Sequence, residues 1–116
     1  MVKDDSIYIR HIYEFALLID GYMKTATRET FDKDIISRLG LVHLIQNIGE
    51  AAKHLSADCQ SKTNIPWDEV IGMRNRIVHE YIEIDYDTVY LVVTIDIPYL
   101  IKQLESEHTS ILKLIR

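Results

Sequence analysis

The stretch DIISRLGLVHLIQNIGEAAKHLSA, residues 34–57, sets the architecture. Ile35, Leu39, Val42, Ile45, Ala52 and Leu55 keep a helical rhythm along it. Ile36, Leu41, Leu44 and Ile48 add a second apolar face. A helix apolar on two sides is expected to be covered on two sides, by its own domain and by a partner chain. Gly40 and Gly49 sit inside this helix, where each costs roughly 1 kcal/mol relative to Ala. Close approach of another helix is one reason to keep a small residue there, and a kink is another.

The segments on either side follow the same pattern. Ile9, Ile12, Ala16, Ile19 and Met23 recur at steps of three and four, so a first helix is expected from about Ile7 to Lys24. The polar stretch Thr25 to Asp32 reads as a loop, and so does Asp58 to Ile65. Pro66 suits a first helical turn, and Asp68 and Glu69 then meet the positive end of the helix dipole. This third helix should run to near His79. A last helix is expected from Asp85, its cap, to beyond Leu104, with Pro98 kinking or dividing it. Ile82-Glu83-Ile84 has the character of a short strand, without an evident partner. The predicted fold class is all-α: an antiparallel bundle of four to five helices forming one domain over residues 1–116.

Composition narrows the function classes. With 116 residues, 47% apolar, four glycines and two prolines, the chain suits a packed helical domain rather than disorder. The net charge of −5 weighs against nucleic-acid binding by a broadly basic surface but allows a local basic cleft. Cys59 is the single cysteine, so a disulfide framework within one chain is excluded and a reducing, cytoplasmic setting is expected. Met1-Val2-Lys3-Asp4-Asp5 carries charges and no apolar signal core, and no apolar run approaches the ~20 residues of a membrane span. His11, His43 and His108 show no metal-ligand spacing, and no phosphate-cradling glycine loop is present, so neither a metal nor a cofactor is expected.

Chemistry concentrates in Arg74-Asn75-Arg76-Ile77-Val78-His79-Glu80-Tyr81. His79 can move a proton near neutral pH. Arg74 can hold a phosphate through two parallel hydrogen bonds, and Asn75 offers a neutral donor and acceptor. These parts suffice to cleave RNA without a metal, the 2′-hydroxyl attacking the adjacent phosphorus to leave a 2′,3′-cyclic phosphate. On an ideal helix Arg74 and His79 lie about 140° apart. Either the helix loosens before His79, or a dimer completes the site. Arg76, three residues from His79, lies nearer on the wheel, so spacing alone selects Arg76 as readily as Arg74. Arginines near a helix C-terminus also have a purely structural use.

The segment resembles the HEPN signature, an arginine and a polar residue followed by histidine, in the longer Arg-x4-His-x-Tyr form of the HepT-like group. Arg74, Asn75, His79 and Tyr81 match it. Ile48-Gly49-Glu50-Ala51-Ala52-Lys53, Ile65-Pro66-Trp67, Ile71-Gly72-Met73-Arg74-Asn75 and Asp96-Ile97-Pro98-Tyr99-Leu100 resemble further segments of that group, in the same order, over about Ile9 to Leu104. The resemblance implies a HEPN-like helical homodimer whose two motif copies share a cleft, acting as a metal-independent RNase toxin. It implies a minimal nucleotidyltransferase antitoxin that attaches AMP to the motif tyrosine. Arg74, His79 and Asn75 would then be catalytic and Tyr81 the AMP acceptor. Glu50, among Gly49, Ala51 and Ala52 on an otherwise apolar helix, is expected to pair with Arg74 or Arg76 because a buried carboxylate needs a partner, the alternative being a solvated or structurally paired acid. Arg76 and Lys53 are candidates to support the site or bind RNA, though Lys53 and His54 read first as an exposed polar face. Trp67 is expected in the core or a dimer contact rather than stacked on a base. A different class remains open, in which the chain is a non-catalytic nucleotide- or protein-binding partner of a nucleotidyltransferase.

Overall fold

The computed structural model describes residues 4–80 and 83–107, with the backbone alone for His79 and Glu80. The described chain is mostly helical, compatible with an all-α HEPN fold. Helix α1 spans Asp5–Met23, α3 Ile35–Lys53 and α5 Trp67–Ile77. The last helix is continuous but internally varied: α6, Tyr86–Leu91, passes through a π-helical turn, Val92–Asp96, into α7, Ile97–Ser106. Two short helices, α2 (Arg28–Lys33) and α4 (Ala57–Ser61), stand where the sequence suggested loops.

Both short helices are explained by their starts rather than by apolar periodicity. Thr27 and Thr30 form a reciprocal capping box at α2, and its Phe31 is fully buried. Ser56 caps α4 by accepting from the Cys59 amide at 3.0 Å, and Cys59 is buried. Longer helices begin the same way. Asp4 caps α1 through the Ser6 amide, Asp34 caps α3 through the Ser37 amide, and Asp85 caps α6 through the Thr88 amide. The Ser37 hydroxyl and amide both donate to Asp34, and these bonds hold its carboxyl below the usual range.

The core takes one stripe from each long helix. Ile9, Ile12, Ala16 and Ile19 of α1 face Val42, Ile45, Ile48 and Ala52 of α3 and Val89, Val93, Ile97, Leu100 and Leu104 of the last helix. The α1 helix runs antiparallel to α3, because Tyr8 near its start stacks on His54 just beyond the end of α3. Asp5 ties the same ends together by accepting from the Ser56 amide and hydroxyl. Tyr13 donates to Glu105 at 2.7 Å, joining α1 to α7.

Three details depart from the sequence reading. The rhythm of α3 does not translate into burial along its whole length. Ile35, Ile36 and Leu39 are 44%, 76% and 46% exposed, whereas Leu41, Val42, Ile45 and Ile48 are buried. The third helix stops at Ile77, short of the expected His79, and the chain enters a strand, β1, Val78–Glu80. This strand pairs antiparallel with β2, Glu83–Ile84, which supplies the partner the sequence did not reveal. Pro98 is accommodated in the last helix without breaking it. It lies in the first turn of α7, directly after the π-helical turn, in which the Ile97 amide reaches back to the Val92 carbonyl. The wider turn takes up the lost donor and the ring that a proline brings into a helix.

Candidate active site

Helix α5 positions the motif by burying one face and leaving the other in solvent. Trp67, Val70, Met73 and Ile77 form the buried row, and Arg74, Asn75 and Arg76 are exposed in the last turns. Trp67 is a core residue, 4% exposed, with its indole N–H donated to the Thr63 hydroxyl at 2.9 Å. The close seat of α5 on α3 depends on Gly49. A Cβ placed there would come 3.2 Å from the Ile71 carbonyl oxygen. Of the two explanations for a glycine inside this helix, close approach applies at Gly49. At Gly40 a Cβ would meet nothing within 4 Å.

The helix ends at Val78, whose backbone is extended (φ −116°, ψ 104°) and whose N–H reaches back to the Arg74 carbonyl. Pairing of Val78 with Ile84, and an Asp85 N–H donated to the Ile77 carbonyl at 2.8 Å, draw the chain out of the helix. His79 therefore belongs to β1, and the 140° separation of an ideal helix does not apply to the Arg74–His79 pair. The His79 side chain and the whole of Tyr81 lie outside the described residues.

The two arginines that spacing could not separate have different surroundings. Arg76 donates to Asp96 on the π-helical turn at 2.7 Å, which ties α5 to the last helix. Arg74 makes no ion pair among the described residues; its side chain's one described hydrogen bond is a long 3.5 Å approach to the Asn75 amide oxygen. Arg74 and Asn75 line an open cavity of about 260 Å³ between α3 and α5, together with Gln46, Glu50, Lys53 and Ile71.

Glu50 does not pair with Arg74 or Arg76 among the described contacts. Its side chain is 64% exposed and lies 3.6 Å from Lys53 and 3.8 Å from His54 on its own helix. The expectation rested on a buried carboxylate needing a partner. One position after Gly49, which faces α5, the helix instead turns Glu50 toward solvent. The structure still brings Glu50 and Lys53 to the cavity that Arg74 and Asn75 line. Gln46 was not singled out in the sequence, and Ile71 only as part of a family-like segment. The four-residue steps from Gln46 to Glu50, and the placing of Ile71 one turn before Arg74, are the signals that would have found them.

A family model described as Ribonuclease HepT-like matches residues 11–107 of this chain. The chain belongs to that family. Curated relatives agree in kind. A "Putative RNase" of Caldanaerobacter subterraneus subsp. tengcongensis is 31% identical over 105 residues, covering 90% of this chain and 94% of its own. A "Probable ribonuclease HepT" of Thermococcus cleftensis is 29% identical over 101 residues, 86% of this chain and 92% of its own. In Methanocaldococcus jannaschii, a protein named "Gamma-glutamylcyclotransferase and putative RNase" is 37% identical over 101 residues, which is 86% of this chain but 46% of that longer one. No solved structure gives a significant match. Family membership thus supports ribonuclease activity at the level of the HepT-like group. No described helix is long and apolar enough to cross a membrane, and no described group of three or more His, Cys, Asp or Glu side chains could hold a metal ion.

Proposed function

We propose that this chain is a metal-independent RNA endonuclease, the toxin of a toxin–antitoxin pair, acting as a homodimer. The observation that carries the assignment of roles is the contrast between the two arginines. Arg76 is engaged by Asp96, whereas Arg74 stands in an open cavity beside Asn75 with no ion pair among the described residues. An arginine with no carboxylate among its described partners has guanidinium donors to offer a phosphate.

In this reading Arg74 holds the scissile phosphate and stabilises the charge that grows on it. His79 takes the proton from the ribose 2′-hydroxyl, and the 2′-oxygen attacks phosphorus. The bond to the 5′-oxygen breaks, and the same imidazole on the second copy delivers a proton to that leaving oxygen. The products are a 2′,3′-cyclic phosphate and a free 5′-hydroxyl. Asn75 orients the phosphate, and Lys53 adds positive charge to the approach. Arg76 acts structurally through Asp96. The exposed Ile35, Ile36 and Leu39 are consistent with a partner-covered face on α3.

Tyr81, two residues past His79, is the acceptor of AMP from a minimal nucleotidyltransferase antitoxin. An attached nucleotide brings bulk and negative charge to the motif and competes with an RNA phosphate. The test is digestion of single-stranded RNA by purified protein in chelator, comparing wild type with Arg74→Ala and His79→Ala. Cyclic-phosphate ends and a loss of about 10²- to 10⁴-fold in His79→Ala are expected. Cleavage that needs added metal, or that survives both substitutions, overturns the mechanism. A wild-type protein that binds RNA but leaves it intact, with intact mass showing no AMP, points instead to the non-catalytic binding partner.

A further inference from the structure

Helix α1 presents Tyr8, His11 and Phe15 in a row at steps of three and four, on a face distinct from its buried stripe. Helix α3 and its cap present Asn47, Glu50 and His54 in a row of the same spacing. Because the helices are antiparallel, the rows face each other head to tail and line an open groove of about 250 Å³. Its rings are already arranged as a platform. Tyr8 and His54 stack with centroids 5.1 Å apart and planes at 17°, and His11 lies 5.9 Å from Phe15 at 40°. The His54 side chain is 55% exposed, so part of the imidazole is open to solvent. Asn47 and Glu50 add an amide and a carboxylate between the rings, and Asn47 also approaches His43 at 3.3 Å.

The groove adjoins the Arg74 cavity, because Glu50 lines both. We propose that this groove is a nucleobase subsite: it seats a base of the RNA strand whose phosphate Arg74 holds. The base continues the Tyr8–His54 stack over the exposed part of the imidazole, with its polar edge toward Asn47 and Glu50. The proposal rests on the reading of Arg74 as the phosphate ligand. It also answers a difficulty in that reading. A chain of net charge −5 offers no broadly basic surface to the backbone phosphates, and stacking on rings is an attraction that does not depend on net charge. A protein partner is the competing occupant. The groove favours a base because its lining combines flat rings with hydrogen-bonding groups, while the large exposed aliphatic side chains among the described residues lie elsewhere.

The experiment uses a short single-stranded RNA carrying one 2-aminopurine, titrated with wild type, His54→Leu and His54→Phe. Wild type is expected to quench the fluorescence as the base stacks. His54→Leu should bind roughly tenfold more weakly and lose the quenching. His54→Phe, which restores a ring, should recover both. His54 is exposed, so unchanged melting of the variants keeps the comparison clean. Equal quenching and affinity for wild type and His54→Leu overturn the proposal, and so does RNA binding without quenching in all three. RNA cleavage is measured in parallel. Cleavage by wild type with no dependence on His54 removes the subsite and leaves the nuclease. Stacking that depends on His54 with no cleavage removes the nuclease and leaves the subsite as a nucleotide-binding groove.

Discussion

Replacing Gly49 with alanine tests the seat of the motif-bearing helix directly. In an exposed helix interior, Gly→Ala is stabilising by about 1 kcal/mol, because alanine surrenders less backbone freedom. Gly40 and Gly21 meet that condition, since a Cβ at either touches nothing within 4 Å. Gly49 does not. Its added methyl would lie 3.2 Å from the Ile71 carbonyl oxygen and 3.6 Å from that of Val70, both backbone atoms of α5. Neither oxygen can swing aside, so α5 has to retreat by a few tenths of an ångström. Overpacking of this kind costs typically about 1–3 kcal/mol, which cancels or exceeds the helical gain. At about 2.1 cal/mol/K per residue over 116 residues, 1 kcal/mol corresponds to about 4 °C in Tm. Thermal melts followed by circular dichroism should therefore show Gly40→Ala raised by up to about 4 °C and Gly49→Ala unchanged or lowered. RNA cleavage should fall only in Gly49→Ala, because α5 carries Arg74. A Gly49→Ala protein stabilised as much as Gly40→Ala would refute the close approach.

Three further outcomes follow from single contacts. Asp96→Asn should cost less than about 1 kcal/mol, since the Arg76–Asp96 pair is partly solvated; a double-mutant cycle with Arg76→Ala measures it, and a coupling of several kcal/mol would contradict the geometry. Thr63→Val should destabilise by about 1–3 kcal/mol in urea unfolding, because the buried Trp67 indole N–H loses its acceptor. The depressed Asp34 carboxyl contributes stability that is full above the ordinary carboxylate pKa and lost as pH falls through its lowered value. Asp34→Asn should therefore flatten the acid branch of a Tm–pH profile, and an unchanged branch would show that the cap does not titrate with folding.

Much of the helical frame is legible in the residues, because burial of one stripe at period 3.6 is a strong and local constraint. Ile9, Ile12, Ala16 and Ile19 are buried as their spacing suggests, and Asp85 begins its helix. The short helices α2 and α4 escape this reading, since each buries one residue and a period needs several. Strand β1 escapes it for a different reason. Val78 is compatible with helix and strand alike, and only the return of Ile84 decides between them. At the site, the sequence names Arg74, Asn75 and Arg76 but cannot rank the arginines. The ranking is set by Asp96, twenty residues away on another helix. Glu50 shows the converse error, a carboxylate assigned a partner on the assumption of burial that the helix phase denies it.

The wide turn at Val92–Asp96 has a bearing on the chain's tolerance of insertions and deletions. A helix winds about 100° per residue and this turn takes up one extra residue, so removing one there would restore a regular spiral in phase, whereas removing one from the regular turns on either side would rotate all that follows by that angle. With a residue lost before the turn, Ile97, Leu100 and Leu104 would swing out of the core, and Glu105 would leave Tyr13. The loosened turn thus works as a phase setting, allowing one length of chain to face correctly both before and after its proline.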